Sequence, residues 1–328
     1  MSKDIHKSKP ISLEGIRTSP LGERKSKVSL EDIGQTWDKG QSLSEFLKRL
    51  PSLLGAVDFR EVVHRICKAR ERNRPVLLGM GAHPIKVGLS PIIIDLMERG
   101  VLSGVAMNGA GIIHDAEMAL VGGTSEDVAT SLAEGDFGMS HETADFLNRA
   151  IAQAKEADLG LGAAVGEALL QATVPHVEQS ILAAGVRLSI PVTVHVALGT
   201  DVIHIHPSVD PAATGSATHL DFRIFAGLVA SLEGGVYVNM GSAVLLPEIF
   251  LKAVTLVRNL GHQVKKFTTV NMDFNRHYRP LVNVVERPTQ AGGRGFELVG
   301  HHEIMFPLLA AAVIESLDAE RQAQSTRR

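Results

Sequence analysis

The chain has 328 residues, of which 45% are hydrophobic, 21% charged and 4% aromatic, and its formal net charge is −3. This composition is typical of an ordinary globular protein and excludes a disordered or fibrous chain. The slightly acidic balance and the scarcity of aromatic rings argue against nucleic-acid binding, because such proteins present basic surfaces and stacking platforms.

The sequence also restricts the compartment and the domain plan. The single cysteine, Cys67, rules out an internal disulfide, and no window approaches 18 uncharged apolar residues, so no membrane span is expected. The amino terminus lacks a signal-peptide pattern, which predicts a cytoplasmic protein. Residues 1–40 are polar and aperiodic and are predicted to form a mobile arm. Residues 41–318 are predicted to form one α/β domain, and residues 319–328 a frayed tail.

The predicted elements begin with two amphipathic helices, one opening at Ser42 and one over residues 59–72. From Pro75 onward, apolar runs typical of buried parallel strands alternate with helical segments. These runs are PVLLGMGA, VLSGVAMNG, IPVTVHVALGTD, GGVYVNMGS, QVKKFTTVNMD and RGFELVG. The alternation predicts a doubly wound, Rossmann-like parallel sheet preceded by the helical arm.

The second of these runs leads into the stretch VAMNGAGIIHDAEMALVGG, residues 105–123, which is typical of a strand, a glycine turn and a helix start. The turn consists of Asn108, Gly109, Ala110 and Gly111. Such a turn lets a phosphate or carboxylate approach the unpaired N–H groups of the helix. His114 and Asp115 follow within the first helical turn, beside the predicted ligand. The alternative is a glycine turn needed only for close packing of strand and helix.

Ligands of doubly wound sheets bind beyond the carboxyl ends of the strands. Small residues, hydroxyls, amides and carboxylates recur there in this chain, and their recurrence predicts a ligand crevice. Each alone is also consistent with turn chemistry. The positions are Gly81, Ala82, His83, Gly199, Thr200, Asp201, Asn239, Gly241, Ser242, Ala243, Thr268, Thr269, Asn271, Asp273, His301, His302 and Glu303.

A metal site is a further possibility. His204 and His206 are two residues apart, which on a strand would place both rings on one face, a geometry that can bind zinc. The third ligand would be one of His114, His195, His301 and His302. In the alternative reading, the pair hydrogen-bonds backbone and water at the mouth of the crevice.

Residues 43–317 resemble the deoxyhypusine synthase family. The stretch VGLSPIIIDLMERGVLSGVAMNGAGIIHDAEMAL is similar to the family segment in which a TAGG turn precedes acidic residues. DFRIFAGLVASLEGGVYVNMGSAVLLPEI resembles the segment ending in the family's GGG turn, and GHHEIMFPLLAAA resembles the signature with FPLL after the last strand. The resemblance implies a homotetramer with NAD in crevices shared between paired subunits. It also implies a spermidine substrate whose aminobutyl group passes through a lysine imine to a protein lysine.

Motif matching carries part of the family's site onto this chain. Residues 108–111 stand at the TAGG turn, residues 241–243 replace GGG, and Asp115 matches a family carboxylate. Together with the strand-end positions, the predicted NAD-binding residues are Ala82, His83, Asn108, Gly109, Ala110, Gly111, Asp201, Gly241, Ser242, Ala243, Thr269, Asp273 and Gly300.

The chain departs from the family where the chemistry occurs. Pro288 stands in place of the imine-forming lysine, residues 282–300 contain no lysine, and Pro247 replaces the catalytic histidine. Proline can neither form an imine nor take a proton, so the family's aminobutyl transfer cannot run through that residue. The family's substrate-packing tryptophan falls near Glu286. Whether another lysine enters the site is left open, the candidates being Lys86, Lys265 and Lys266.

Three functions therefore remain. The first is an NAD-dependent enzyme that acts on a polyamine-like or other small polar substrate by altered chemistry. Its candidate catalytic residues are His114, Asp115, His301, His302 and Glu286. The second is a non-catalytic ligand-binding or scaffold homologue, favoured by the lost lysine. The third is a metal-dependent hydrolase that uses the pair formed by His204 and His206.

Overall fold

A computed structural model describes residues 10–325 of the chain. Six strands form one sheet in the order β3-β2-β1-β4-β5-β6, and every neighbouring pair is parallel. The strands are β1 (Val76–Met80), β2 (Gly104–Asn108), β3 (Val192–His195), β4 (Val236–Met240), β5 (Thr268–Asp273) and β6 (Arg294–Val299). The predicted doubly wound sheet is confirmed, and each of the six apolar runs contains one strand.

Helices cover both faces of this sheet. They are α1 (Leu43–Arg49), α2 (Leu54–Glu71), α3 (His83–Lys86), α4 (Ser90–Glu98), α5 (Gly109–Val121), α6 (Val128–Glu134), α7 (His141–Ala154), α8 (Leu161–Gln171), α9 (Ile181–Leu188), α10 (Pro211–Ala230), α11 (Leu245–Asn259), α12 (Tyr278–Pro280) and α13 (His302–Ser325). Short 3-10 turns occur at Leu21–Glu23, Val177–Gln179 and Val202–Ile205, and a π-helical turn at Leu281–Glu286.

The central strand β1 shows why the strands could be predicted from apolar runs in the sequence. All five of its residues are buried, and successive side chains point to opposite faces of the sheet. Leu78 packs in the larger core with α2, α5 and α13, whereas Leu77 packs in a second core with Phe225 of α10 and Phe250 of α11. A strand buried on both faces has no polar alternation, so it is typically a continuous apolar run.

At the two ends of the chain, the structure defines the element boundaries more closely than the sequence does. Ser42 caps α1, since its hydroxyl oxygen accepts the N–H of Glu45 at 3.3 Å. Residues 10–40 contain one 3-10 turn and are largely exposed, while residues 1–9 of the predicted arm lie outside the described residues. The backbone of α13 is helical to residue 325, and fraying from residue 319 stays a prediction. Residues 326–328 lie outside the described part.

The strand order reverses between β1 and β4, and this switch point is where ligands of doubly wound sheets bind. Chain segments that leave β1, β2, β4 and β5 therefore converge at one edge of the sheet. Within residues 10–325, no helix is long and apolar enough to cross a membrane.

Candidate functional site

The switch point is closely packed. The N–H of Gly81 donates to the carbonyl oxygen of Met240 at 3.1 Å. A Cβ at Gly81 would lie 2.3 Å from the carbonyl oxygen of Gly241, and a Cβ at Gly241 would lie 2.8 Å from Cε1 of His302. Both glycines are therefore required because the two strand ends and the start of α13 approach one another without room for a side chain.

Two histidines meet beside this point. His83 Nδ1 lies 2.9 Å from His302 Nδ1, and His302 Nε2 lies 3.2 Å from the carbonyl oxygen of Met272. A carbonyl oxygen only accepts, so His302 Nε2 carries a proton. Burial lowers the pKa of His302 and favours its neutral ring, whose Nδ1 then accepts a hydrogen bond from His83. Both nitrogens of His302, a predicted catalytic residue, are thus engaged inside the protein.

Phe274 and His301 extend the cluster to the surface. Their rings stack with centroids 5.8 Å apart and planes 9° apart, and the Phe274 ring also lies beside His83 and His302. Phe274 is 42% exposed, and His301 is exposed as well. This exposed ring pair offers a stacking surface for a flat ligand. Phe274 was not among the predicted residues, because a single aromatic after a strand carries no motif.

The glycine turn before α5 has the predicted backbone but a different neighbour. Asn108 caps the helix, since its Oδ1 accepts the N–H of Gly111 at 3.0 Å. A Cβ at Gly109 would lie 1.9 Å from Oδ2 of Asp201. The carboxylate of Asp201 therefore covers the turn where an external anion was predicted, and burial raises its pKa. The small residue at 109 is explained by packing against Asp201, which is the alternative reading of this turn.

Asp115 binds the amino end of α9, a helix that follows much later in the chain, and not the glycine turn. It is fully buried and accepts the Ser180 hydroxyl at 2.5 Å and the N–H groups of Ile181 and Leu182 at 2.7 and 3.3 Å. These contacts cap the amino end of α9. Burial raises the pKa of Asp115 to about 6 despite those hydrogen bonds. Its oxygens are thereby assigned to α9, which corrects the prediction that Asp115 acts on a substrate.

Several other predicted cofactor residues lie at the carboxyl edge and form its local turns. The hydroxyl oxygen of Ser242 accepts the N–H of Leu246 at 3.1 Å, and Oδ1 of Asp273 accepts the N–H of Asn275 at 3.2 Å. The predicted residues that the structure brings to the ends of β1, β4, β5 and β6 are Ala82, His83, Gly241, Ser242, Ala243, Asp273, Gly300, His301 and His302.

Thr269 and Glu286 lie away from the carboxyl ends of the strands. Thr269 is the second residue of β5, is fully buried and pairs with Tyr237 inside the sheet. Glu286 is exposed and follows Val285, whose carbonyl oxygen packs over Gly295 near the amino end of β6. Both therefore lie away from the carboxyl edge. The buried position of Thr269 within the sheet does not fit contact with a cofactor, whereas the role of Glu286 at a crevice shared between subunits stays a prediction.

A cavity of about 640 Å³ adjoins the glycine turn. Its walls are α5, the amino end of α7, the segment between these helices and the 3-10 turn at Val202–Ile205. The polar residues lining it are Lys86, His114, Glu117, Thr124, Ser125, Glu126, Ser140, Glu142, Thr143, Thr200 and Asp201. The cavity is large enough for a drug-sized ligand. Ala110 and His114 are the predicted residues of the turn segment that line it.

A hydrogen-bonded chain of three side chains forms part of this wall. The Thr124 hydroxyl donates to Oε2 of Glu117, and Nδ1 of His114 lies 2.6 Å from the Thr124 oxygen. The Thr124 hydroxyl donates its one proton to the Glu117 carboxylate. In the hydrogen bond between Thr124 and His114, Nδ1 of His114 must therefore be the donor. In the neutral ring, Nε2 of His114 is then the proton-accepting nitrogen.

Glu117 is held as an anion. Burial raises the pKa of Glu117, but hydrogen bonds from His114, Thr124 and Thr143 outweigh burial and lower the pKa overall. The Thr143 hydroxyl donates to Oε1 at 3.1 Å. Glu117 was not predicted, although its spacing of three residues from His114 places the two side chains on one helix face.

The charge of the cavity is predominantly negative. Among the described residues, four carboxyl groups line it, those of Glu117, Glu126, Glu142 and Asp201, against a single lysine, Lys86. Lys86 is the one lysine of the three candidates that lines this cavity. An ammonium or guanidinium group would be attracted to this lining, whereas a pyrophosphate would be repelled.

The predicted pairing of His204 with His206 is wrong. Residues 202–205 form a 3-10 turn and not a strand, so the two rings do not share a face. His204 Nδ1 accepts the N–H groups of Gly199 and Asp201 at 3.2 and 3.3 Å. His206 instead lies beside Asp145 of α7, with its Nδ1 3.8 Å from Oδ1 of that residue.

Comparisons with known proteins support the fold. No protein-family model matches the sequence, and no curated protein matches it by sequence. Among solved structures, a deoxyhypusine synthase-like protein from Entamoeba histolytica is 15% identical, with a TM-score of 0.53 over 85% of this chain and 95% of that one. An LOR/SDH-like protein from Methanococcus maripaludis S2 is 16% identical, with a TM-score of 0.50 over 80% of this chain and 70% of that one.

Unliganded AgrE is 15% identical, with a TM-score of 0.52 over 80% of this chain. This chain spans about a third of AgrE, since the match covers 33% of that protein. At these identities the matches show the fold alone. The chain therefore has a deoxyhypusine synthase-like Rossmann fold.

Proposed function

We propose that the cavity beside α5 binds a small organic cation of the polyamine class and that His114 accepts a proton from the bound molecule. The observation that carries this proposal is the ionised Glu117, half-buried in the cavity wall and hydrogen-bonded to Thr124 and Thr143. A partly buried carboxylate attracts a cation more strongly than an exposed one because water screens it less.

The proton-accepting role follows from the tautomer of His114. Its Nδ1 donates to Thr124, which leaves Nε2 with a lone pair. Glu117 lies 3.7 Å from Nδ1 and would stabilise the imidazolium that forms when Nε2 takes a proton. An ammonium, hydroxyl or activated C–H of the ligand is a suitable proton source.

Nicotinamide nucleotide binding is the second candidate, favoured by the strand order and its switch point. The acidic cavity and the turn under Asp201 do not fit a pyrophosphate, so the nucleotide would lie beside the segments after β1 and β4. Ala82, His83 and Ser242 would hold it there. NAD would supply a hydride acceptor. Assembly into a tetramer stays a prediction from the family resemblance.

Thermal unfolding with added ligands distinguishes these functions. A ligand of the native state raises its free energy of unfolding by about 1.4 kcal/mol at ten times its dissociation constant. We expect spermidine to raise the melting temperature and an uncharged diol of similar length to have no effect. Equal shifts from both molecules would contradict a charge-selective cavity. No shift with millimolar NAD would remove the nucleotide half of the proposal.

Turnover separates an enzyme from a binding protein. We expect His114→Gln to keep spermidine binding and to abolish any proton-dependent conversion of the bound amine, monitored by mass spectrometry of the ligand. A ligand that binds to the unmodified protein and is recovered unchanged under all conditions would favour the non-catalytic homologue.

A further inference from the structure

A group of three potential metal ligands lies outside the cavity, where α7 meets the chain that leaves the 3-10 turn at Val202–Ile205. The group consists of His141, Asp145 and His206, each of which offers one ligand atom within 4.8 Å of the others. His141 Nε2 lies 3.2 Å from Oδ2 of Asp145, and His206 Nδ1 lies 3.8 Å from Oδ1 of Asp145.

Local structure explains this convergence. His141 and Asp145 are four residues apart on α7, so their side chains lie one above the other on the same helix face. His206 follows directly after the 3-10 turn. Asn148, one turn further along α7, anchors this segment, because its amide donates to the Ile203 carbonyl and to the Ser208 hydroxyl.

The hydrogen bonds of His206 indicate that its Nδ1 is the unprotonated nitrogen of the ring. The N–H of Ser208 donates to His206 Nδ1 at 3.3 Å, and the Ser208 hydroxyl lies 2.7 Å from the same nitrogen. Nδ1 therefore carries a lone pair, as a ligand nitrogen must. A ring nitrogen has one lone pair, so a metal ion bound at Nδ1 would replace both Ser208 contacts.

The distances are compatible with a small divalent ion. Bonds of about 2.0–2.2 Å in a tetrahedral site place neighbouring donor atoms about 3.3–3.6 Å apart. The separations are 3.2 Å from His141 to Oδ2 of Asp145 and 3.8 Å from His206 to Oδ1, and they lie on either side of that interval. With one ligand atom from each residue, the three atoms lie within 4.8 Å of one another, so a small movement of the side chains would bring them to the ion. Two imidazoles and one carboxylate favour Zn²⁺ or a similar transition metal over Mg²⁺ and Ca²⁺, which prefer oxygen ligands alone.

We propose that His141, Asp145 and His206 bind a divalent transition metal ion, Zn²⁺ in the first instance. The ion would tie the segment after β3 to the amino end of α7. Val202, Ile203 and Thr143 line the acidic cavity, so the ion would also stiffen one wall of it. The site differs from the predicted pair of histidines in two of its three ligands.

Metal titration of tag-free protein tests the site. We expect Co²⁺ to give the visible absorption of a tetrahedral complex at one equivalent, and Zn²⁺ to displace it. His206→Asn and His141→Gln should each weaken Zn²⁺ binding at least tenfold, since even changes that only support a ligand cost about 10–100-fold in affinity. His262→Gln, at an exposed histidine after α11, is the matched control and should leave affinity unchanged.

Three outcomes would overturn the proposal. These are no binding at micromolar Zn²⁺, equal affinity in both ligand variants and the unmodified protein, or loss of binding only when His83 or His301 is replaced. Circular dichroism of each variant confirms that the protein is folded. Because this site lies outside the cavity, Zn²⁺ binding and spermidine binding can fail independently.

Discussion

The buried carboxylate of Asp115 gives an unusual pH dependence of stability. Asp115→Asn is nearly isosteric but cannot ionise. Oδ1 of Asp115 accepts from Ile181, and Oδ2 accepts from Ser180 and Leu182. One oxygen becomes an amide in the variant and faces at least one N–H donor, which costs about 1–3 kcal/mol relative to the ionised carboxylate.

The magnitude of the pH effect follows from the pKa of Asp115, which burial raises from 3.8 to about 6. A raised pKa means that the folded state binds the proton more tightly than the unfolded state does. The contribution of this group is therefore fully present below about pH 4 and is lost as the pH rises through about 6. A shift of about two units corresponds to about 3 kcal/mol, of which about 2 kcal/mol falls between pH 4.5 and 7.5.

Urea denaturation at a series of pH values measures this effect. Between pH 4.5 and 7.5 the free energy of unfolding of Asp115→Asn should rise by about 2 kcal/mol relative to the unmodified protein, because only the latter buries a charge. Asp210→Asn is the control, since Asp210 caps α10 at an exposed position. A difference that is independent of pH, or that moves the other way, would show that the hydrogen bonds outweigh burial and would refute the reasoning.

Two further substitutions test the packing of the sheet. Tyr237→Phe should leave the free energy of unfolding unchanged or raise it by about 1 kcal/mol, because the buried Tyr237 hydroxyl has no hydrogen-bond partner in the described part of the chain; a clear loss in urea denaturation would reveal such a partner. Gly81→Ala should lower that free energy by about 1–3 kcal/mol, because its Cβ would meet a backbone oxygen 2.3 Å away. The control Gly227→Ala meets nothing within 4 Å on α10 and should be neutral or stabilising, so equal costs would contradict this argument.

The strands were predictable because a parallel sheet buried on both faces leaves a direct mark on the sequence. Every residue of β1 is buried, and the same holds for β4 and β5. Helix starts could be predicted for a similar local reason. The side-chain oxygens of Ser42 and Asn108 each accept the N–H group three residues later in the chain. These features depend on neighbours in the chain, which a single sequence displays.

The contents of the site depend on distant residues, and there prediction was weaker. Asp201 lies over Gly109, more than ninety positions earlier in the chain, and Asp115 caps a helix that begins sixty-six residues later. No local pattern reports such contacts. The role of Thr269 was transferred by motif matching across a divergent chain, where a shift of a few residues moves a side chain to the other end of a strand.

The histidines illustrate two difficulties of prediction, a local structure that was misjudged and a contact that local patterns do not report. The pairing of His204 with His206 depended on a strand at these positions, yet the chain forms a 3-10 turn there. The chain of His114, Thr124 and Glu117 combines one predicted residue with two that were not. Sequence spacing alone pairs His114 with Glu117, but Thr124 joins them only after α5 has ended.

Calorimetric titration of spermidine into Glu117→Gln and into the unmodified protein tests the central claim most directly. Removing one partner of a charge-assisted hydrogen bond costs about 1.5–3 kcal/mol, so we expect the affinity of the variant to fall by about 10–100-fold. Glu71→Gln, at an exposed position of α2, should bind spermidine as the unmodified protein does. An unchanged affinity in Glu117→Gln, or an equal loss in Glu71→Gln, would contradict binding of an organic cation beside Glu117.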